Sequence, residues 1–231
     1  SACCIASSLS AQVTYEKLLG ASAGNSDWLT YSGNYRGWRY SSLDQIDRQN
    51  APKLTLEWVY QMPTTLMVDP TPLVVDGVMY GSEPPSNVVA LDAKTGRQYW
   101  RYRRQLPDRI NVCCGQVNRG VAVLGDRVFV GTADAHLVSL DARTGAVLWD
   151  IQVADHSAGY AITGAPLIVK DMVICGIAGG EYGIRGFLDA YDAATGKRRW
   201  RFWTILENSW AGDSWKTGGG PTWLTGSFDP Q

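Results

Sequence analysis

Histidine is nearly absent from this chain. Two residues, His136 and His156, in 231 leave zinc or haem chemistry without a ligand cluster, and each reads as an isolated surface or satisfied side chain. Neither sign of charge is in excess, since 21 Lys and Arg against 22 Asp and Glu give a formal net charge of -1. With no basic surplus to neutralise phosphates, a nucleic-acid partner is excluded. No five like charges stand in a row, which removes a polybasic membrane anchor. No apolar run approaches the roughly eighteen residues of a spanning helix. The remaining balance, 45% hydrophobic and 19% charged, is that of a globular chain long enough to bury a sizeable core.

The first eleven residues carry no charge and end in the small-residue run Ser7-Ser8-Leu9-Ser10-Ala11. They read as the remnant of a secretory signal, which places the protein in the periplasm, with residues 12–231 as the folded part. Ser1-Ala2-Cys3 also fits the end of a lipoprotein signal, and a plain N-terminal tail is the alternative.

Glycine and tryptophan are plentiful, at 25 and 10 residues, and both fall at repeating positions. Ala90-Leu91-Asp92-Ala93-Lys94-Thr95-Gly96-Arg97-Gln98-Tyr99-Trp100 returns about fifty residues later as Ser139-Leu140-Asp141-Ala142-Arg143-Thr144-Gly145-Ala146-Val147-Leu148-Trp149. It returns again as Ala190-Tyr191-Asp192-Ala193-Ala194-Thr195-Gly196-Lys197-Arg198-Arg199-Trp200. Asp-x-x-Thr-Gly is a turn, with side-chain acceptors for loose amides and a glycine for positive φ. Upstream of each copy, two apolar runs meet at a two-residue turn: Asp76-Gly77, Gly125-Asp126 or Lys170-Asp171. Four short antiparallel strands per repeat describe a propeller blade, and the recurring Trp fits a packing role between blades. The fold class is therefore all-β. Three clear copies and a weaker one ending at Trp58 make about four blades over residues 30–203. The last residues, Phe228-Asp229-Pro230-Gln231, show no closing strand, so the chain reads as an incomplete part of a ring.

Several residues stand outside this structural pattern. Cys113 and Cys114 are adjacent, and strand neighbours point to opposite faces, so the pair gains nothing as ordinary core. If bonded to each other they close almost no loop and make a poor staple, which points to function, with Gly115 giving the backbone freedom. Two reduced buried thiols are the alternative. Cys175, within Val173-Ile174-Cys175-Gly176-Ile177, reads as plain core. Arg119 presents a fork suited to a planar polycarboxylate, or to a surface ion pair. Glu181, in Ala178-Gly179-Gly180-Glu181, is a hard oxygen ligand of the kind calcium takes, or a solvated loop carboxylate. Trp215-Lys216-Thr217-Gly218-Gly219-Gly220-Pro221-Thr222-Trp223 strips away side chains so that a flat ligand could lie against Trp223.

Together these residues resemble the pyrroloquinoline quinone (PQQ)-dependent alcohol dehydrogenases, the family of methanol and ethanol dehydrogenases. The likeness runs from Trp28 to the last residue. It rests on the blade motif, Cys113-Cys114-Gly115, Ile162-Thr163-Gly164-Ala165-Pro166, Gly179-Gly180-Glu181 and the glycine run before Trp223. It implies an eight-bladed propeller with PQQ near its axis, the Cys113–Cys114 disulfide on one face of the quinone and Trp223 on the other. Arg119 and Thr163 would bind the polar rim, Ala178, Gly179 and Gly180 would line it, and Glu181 would ligate calcium, or a lanthanide in its place. The family's chemistry is the oxidation of a small alcohol, with electrons passed to a cytochrome c-type acceptor. Asp69 stands where the family commonly has Glu, and would reach the cofactor through water. The family's aspartate base and a second metal ligand correspond to positions beyond Gln231, so no catalytic residue is assigned within this chain. A non-catalytic propeller scaffold of the outer-membrane assembly type is the alternative. Such a scaffold has no need of the vicinal cysteines, Glu181 or Trp223.

Overall fold

The computed structural model describes residues 13–22 and 27–231; the segment read as a signal remnant lies outside them. Among the described residues twelve strands form three four-stranded antiparallel sheets, each in simple up-and-down order. The first holds β1 (Leu73–Val75), β2 (Val78–Glu83), β3 (Asn87–Asp92) and β4 (Gln98–Tyr102). The second holds β5 (Ala122–Leu124), β6 (Arg127–Gly131), β7 (His136–Asp141) and β8 (Val147–Gln152). The third holds β9 (Leu167–Val169), β10 (Met172–Gly176), β11 (Phe187–Asp192) and β12 (Arg198–Trp203). These are the three clear blades of the sequence repeat.

The turns form as their residues dictate. Asp76 and Gly77 both take positive φ, 47° and 79°, the pair that a two-residue turn needs to follow strand twist. In the Asp-x-x-Thr-Gly turns, Oδ1 of Asp92, Asp141 and Asp192 each accepts two backbone amides within 3.1 Å. The glycines follow at φ 71°, 72° and 72°. Between the third and fourth strand of every blade the register slips by one residue. Such a bulge re-aims the side chains beside it, and here it sits next to the recurring Trp.

The indoles of Trp100 and Trp149 each cross to the next blade and land on that blade's turn, whereas Trp200, with no further sheet beside it among the described residues, is exposed. Trp100 Nε1 donates to Ala142 O at 2.9 Å and Trp149 Nε1 to Ala193 O at 3.2 Å. A Cβ at Gly145 would fall 2.5 Å from the Trp100 ring, and one at Gly196 3.0 Å from Trp149. The weaker copy behaves the same way at its end only. Trp58 Nε1 donates to Ala93 O at 3.3 Å and its ring covers Gly96. Yet residues 30–72 form no sheet; they hold a 3-10 turn, Ala51–Lys53, and the isolated bridge Trp28 to Val74 joins residues on either side of the stretch. A strand needs a paired neighbour, and among the described residues no strand pairs with that stretch.

Because the sheets stand face to face, their middle strands are covered on both sides. The interiors of β3 and β7 are buried throughout, which is why Val88-Val89-Ala90-Leu91 lacks the alternation of a half-exposed strand. A short helix unforeseen in the sequence, α1 (Tyr15–Leu19), is capped by Thr14. Lys17 Nζ ties it to Asp27 and Asp76, both at 3.0 Å. Among the described residues no helix is long and apolar enough to cross a membrane.

Candidate functional site

At the ends of the innermost strands the loops of blades two and three enclose a cleft of about 140 Å³. Its wall comes from four stretches far apart in sequence. Asn111, Val112, Cys113, Cys114, Val117 and Arg119 precede β5. Ala161 and Thr163 precede β9. Ala178, Gly179 and Glu181 follow β10, and Pro221 with Trp223 closes the side. Of the residues singled out in the sequence, the cleft thus gathers Cys113, Cys114, Arg119, Thr163, Ala178, Gly179, Glu181 and Trp223.

Gly180 and Asp69 are not in the wall. Gly180 stands between two wall residues and packs against Pro221. Asp69 is exposed, two residues ahead of Thr71, whose amide donates to Arg119 O at 3.0 Å. Cys175 is buried in β10, as core.

The backbone that presents these groups is fixed from behind. Arg119 N donates to Thr163 O at 3.0 Å, so the loops of two blades are bonded to each other at the cleft. Asn118 is fully buried beneath; its Nδ2 donates to Gly131 O at 2.7 Å and its Oδ1 accepts from Gly120 N at 3.1 Å. It holds Arg119 outward, a role the sequence motif did not reveal. Ala161 and Ala178 form a two-way bridge, with N···O distances of 3.2 and 2.7 Å. Gly179 is left-handed at φ 115°, and a Cβ there would collide with Gly159 O. This is a close approach that only glycine permits.

Cys113 and Cys114 occupy a turn with Cα atoms 3.8 Å apart and their sulfurs in contact. Cys114 and Gly115 are both left-handed, at φ 64° and 93°, so the freedom read into Gly115 is used.

The electrostatics of the cleft are unusual in what the charges do not meet. Among the described residues neither Arg119 nor Glu181 has an ion-pair partner. The Arg119 guanidinium lies 4.7 Å from the centroid of the Trp223 ring, and its polar contact is Nη1 to Thr163 O at 3.4 Å. Elsewhere the interior arginines are satisfied: Arg201 grips Asp189 through two nitrogens at 2.7 Å, and Arg104 joins Asp134 and Asp150. Val117, two residues before Arg119 and so on the same side of an extended segment, was within reach of period-two reasoning. Asn111, Val112, Ala161 and Pro221 carried no such signal.

Comparison with known proteins gives a consistent picture. A profile described as a glucose/ethanol/alcohol dehydrogenase β-propeller domain, bearing the name PQQ, matches residues 28–231. The chain is 41% identical to quinohemoprotein alcohol dehydrogenase ADH IIB of Pseudomonas putida, over 96% of its own length and 35% of the relative's. It is 38% identical to quinoprotein alcohol dehydrogenase PedH of the same species, covering all of this chain and 43% of that one. Among solved structures, quinohemoprotein alcohol dehydrogenase ADHIIG of Pseudomonas putida HK5 superposes with a TM-score of 0.88 at 38% identity, over 96% of this chain and 35% of that one. A europium-containing methanol dehydrogenase gives 0.84 at 35% identity, over 93% and 42%. The chain therefore spans roughly a third to two fifths of the length of the curated relatives it matches.

Proposed function

The chain belongs to the PQQ-dependent alcohol dehydrogenase family, and from that premise we propose that the protein oxidises alcohols to aldehydes with PQQ bound in the cleft beside Cys113, Cys114 and Trp223. The observation that carries this reading is the pair of opposite charges, half-buried Arg119 and exposed Glu181, that line one small cleft without an ion-pair partner among the described residues. A half-buried guanidinium without a carboxylate beside it is suited to an anion, and a tricarboxylate supplies one. PQQ, when bound, supplies an electron-poor quinone able to take the equivalent of a hydride from an alcohol.

This chain's own residues hold and shape. Arg119 meets a carboxylate through charge-assisted hydrogen bonds, and the Thr163 hydroxyl and the backbone at Ala178, Gly179 and Gly180 serve the polar edge. The Cys113–Cys114 disulfide and the Trp223 indole pack against flat surface. Asp69, exposed and outside the wall, would reach the cofactor only through water. Glu181 would hold calcium. Among the described residues no group of three His, Cys, Asp or Glu that could hold a metal comes together, so Glu181 would supply one hard oxygen to an ion that needs further ligands. That arrangement suits a hard cation of variable coordination, calcium or a lanthanide. Electrons pass to a cytochrome c-type acceptor, and the protein acts in the periplasm.

Titration of the full-length apo-protein with PQQ tests the reading. Arg119→Ala should weaken PQQ binding by about tenfold or more, the worth of a charged hydrogen bond. Glu181→Ala should raise the calcium concentration needed for reduction of an artificial acceptor. Wild-type PQQ affinity in the first variant together with wild-type calcium dependence in the second would refute the site.

A further inference from the structure

The segment that follows the last 3-10 turn, Ser214–Thr217, makes one parallel bridge to the third blade, Gly219 to Arg185, and then crosses that blade without further strand pairing among the described residues. Four consecutive residues each lie over a glycine of that blade. A Cβ added at Gly186, Gly180, Gly176 or Gly164 would come within 3.0 Å of Gly220, Pro221, Thr222 or Trp223, respectively. These glycines form a track in which the segment lies as a strap. Two of them adjoin the cleft wall directly: Gly164 follows Thr163, and Gly180 sits between Gly179 and Glu181.

A smooth track alone leaves the strap free to slide. Beyond the backbone bonds at Gly219, whose N donates to Ile184 O at 2.8 Å and whose O accepts from Gly186 N at 2.7 Å, three threonine hydroxyls fix it. Thr204 Oγ1 donates to Gly220 O at 2.6 Å and Thr225 Oγ1 to Ala165 O at 2.7 Å, anchoring the two ends. Between them Thr222 makes two bonds into the blade. Its Oγ1 donates to Phe187 O on β11 at 2.6 Å and accepts from Ile177 N, the first amide after β10, at 3.2 Å. Ile177 leads into the Ala178–Gly179 wall, and Trp223 is the next residue of the strap. The Trp223 ring is itself 40% exposed and meets Arg119 across the cleft.

We propose that Thr222 is a positioning residue for the cofactor. Its hydroxyl, bonded to both Ile177 and Phe187, sets the height at which Trp223 stands over the cleft. The inference rests on PQQ occupying that cleft, and it adds the group that holds one of the cleft's surfaces in place. The sequence pattern gave no hint of it, because Thr222 looked like a spacer between a glycine run and an aromatic.

The test uses the full-length protein, prepared without PQQ and titrated with it by quenching of tryptophan emission. The visible circular dichroism of the bound quinone at saturation reports the geometry around it. Thr222→Val keeps the shape and loses both hydrogen bonds. It should bind PQQ about tenfold more weakly and alter the dichroic band, whereas Thr222→Ser should restore both to within about twofold of wild type. Thr222→Ala should follow valine, and it carries the test if the valine variant misfolds. Normal affinity and an unchanged band in the valine and alanine variants would overturn the proposal, as would failure of serine to rescue. Trp223→Ala separates the two ideas. If it weakens PQQ binding while the Thr222 variants do not, the site stands and Thr222 has no part in it. If Trp223→Ala also binds normally, the cleft is misassigned, and this inference falls with it.

Discussion

Cys113 and Cys114 show how far single residues could be read in advance. Adjacency alone left two options open, a vicinal bond or a pair of thiols. The sulfurs lie in contact, and two successive residues, Cys114 and Gly115, adopt left-handed backbone. For a non-glycine residue that conformation costs roughly 1 kcal/mol or more, and local strain of this kind gathers at functional sites. A bond between the two cysteines is therefore the predicted state of the protein under oxidising conditions. A peptide spanning both should gain two hydrogens on reduction, as read by mass spectrometry. Alkylation of both sulfurs before any reductant is added would count against it. Arg119 and Glu181 were likewise visible as chemistry that the blade pattern did not use, whereas Thr163 was marked only by the family resemblance. Asn118 and Thr222 were not, because a residue that works by bonding to backbone far along the chain looks, in sequence, like any small polar residue.

At the level of the element, the repeat was legible because turn chemistry and strand length both recur. The seam between blades shows why its glycine recurs too. Gly145 is constrained twice, by φ of 72° and by the Trp100 ring 2.5 Å from where a Cβ would stand. Gly77 is constrained once, by φ of 79°, with open space around it. Gly77→Ala should therefore cost about 1 kcal/mol, the left-handed penalty alone. Gly145→Ala should cost about 2–4 kcal/mol, since overpacking against a buried indole is added. Denaturant unfolding of the two variants side by side measures the difference, and equal losses would show that the indole yields freely. The bulge beside each Trp could not be foreseen. It depends on which residue of the fourth strand is left unpaired, and nothing in Gln98-Tyr99-Trp100 marks Tyr99 as that residue.

On the scale of the whole molecule, the three Asp-x-x-Thr-Gly turns form one titrating set. Asp92 is drawn down to about 2, first by the Tyr99 hydroxyl and then by Thr95. Asp192 is drawn down to about 2, first by the Arg199 guanidinium and then by Thr195. Burial pushes Asp141 up, but the hydroxyl and amide of Thr144 outweigh it and hold it below the ordinary carboxylate value. A carboxylate depressed by folding stabilises fully above its unfolded pKa and loses that contribution as pH falls through the folded one. The window here runs from about 4 down to about 2. Thermal melts across it should fall steeply for the wild type and less steeply for a protein carrying Asp92→Asn and Asp192→Asn. Identical slopes would refute the linkage. The partial ring itself was readable from periodicity, except that the copy ending at Trp58 supplies a seam without a sheet. Its sequence carries the indole that docks on Gly96, and periodicity cannot say whether the residues before it find strands to pair with.

The glycine track beneath residues 220–223 also constrains how this protein can change over generations. A side chain gained at Gly164, Gly176, Gly180 or Gly186 is not a local event, because it lifts a neighbouring segment that ends in an aromatic ring. Such a change persists only if the strap shifts to suit. Drift at Gly164, Gly176 and Gly186, which stand outside the cleft wall, is thereby tethered to drift in the surface that would meet a ligand. Lineages that diverge in what they bind should show paired changes, one on the blade and one on the strap above it.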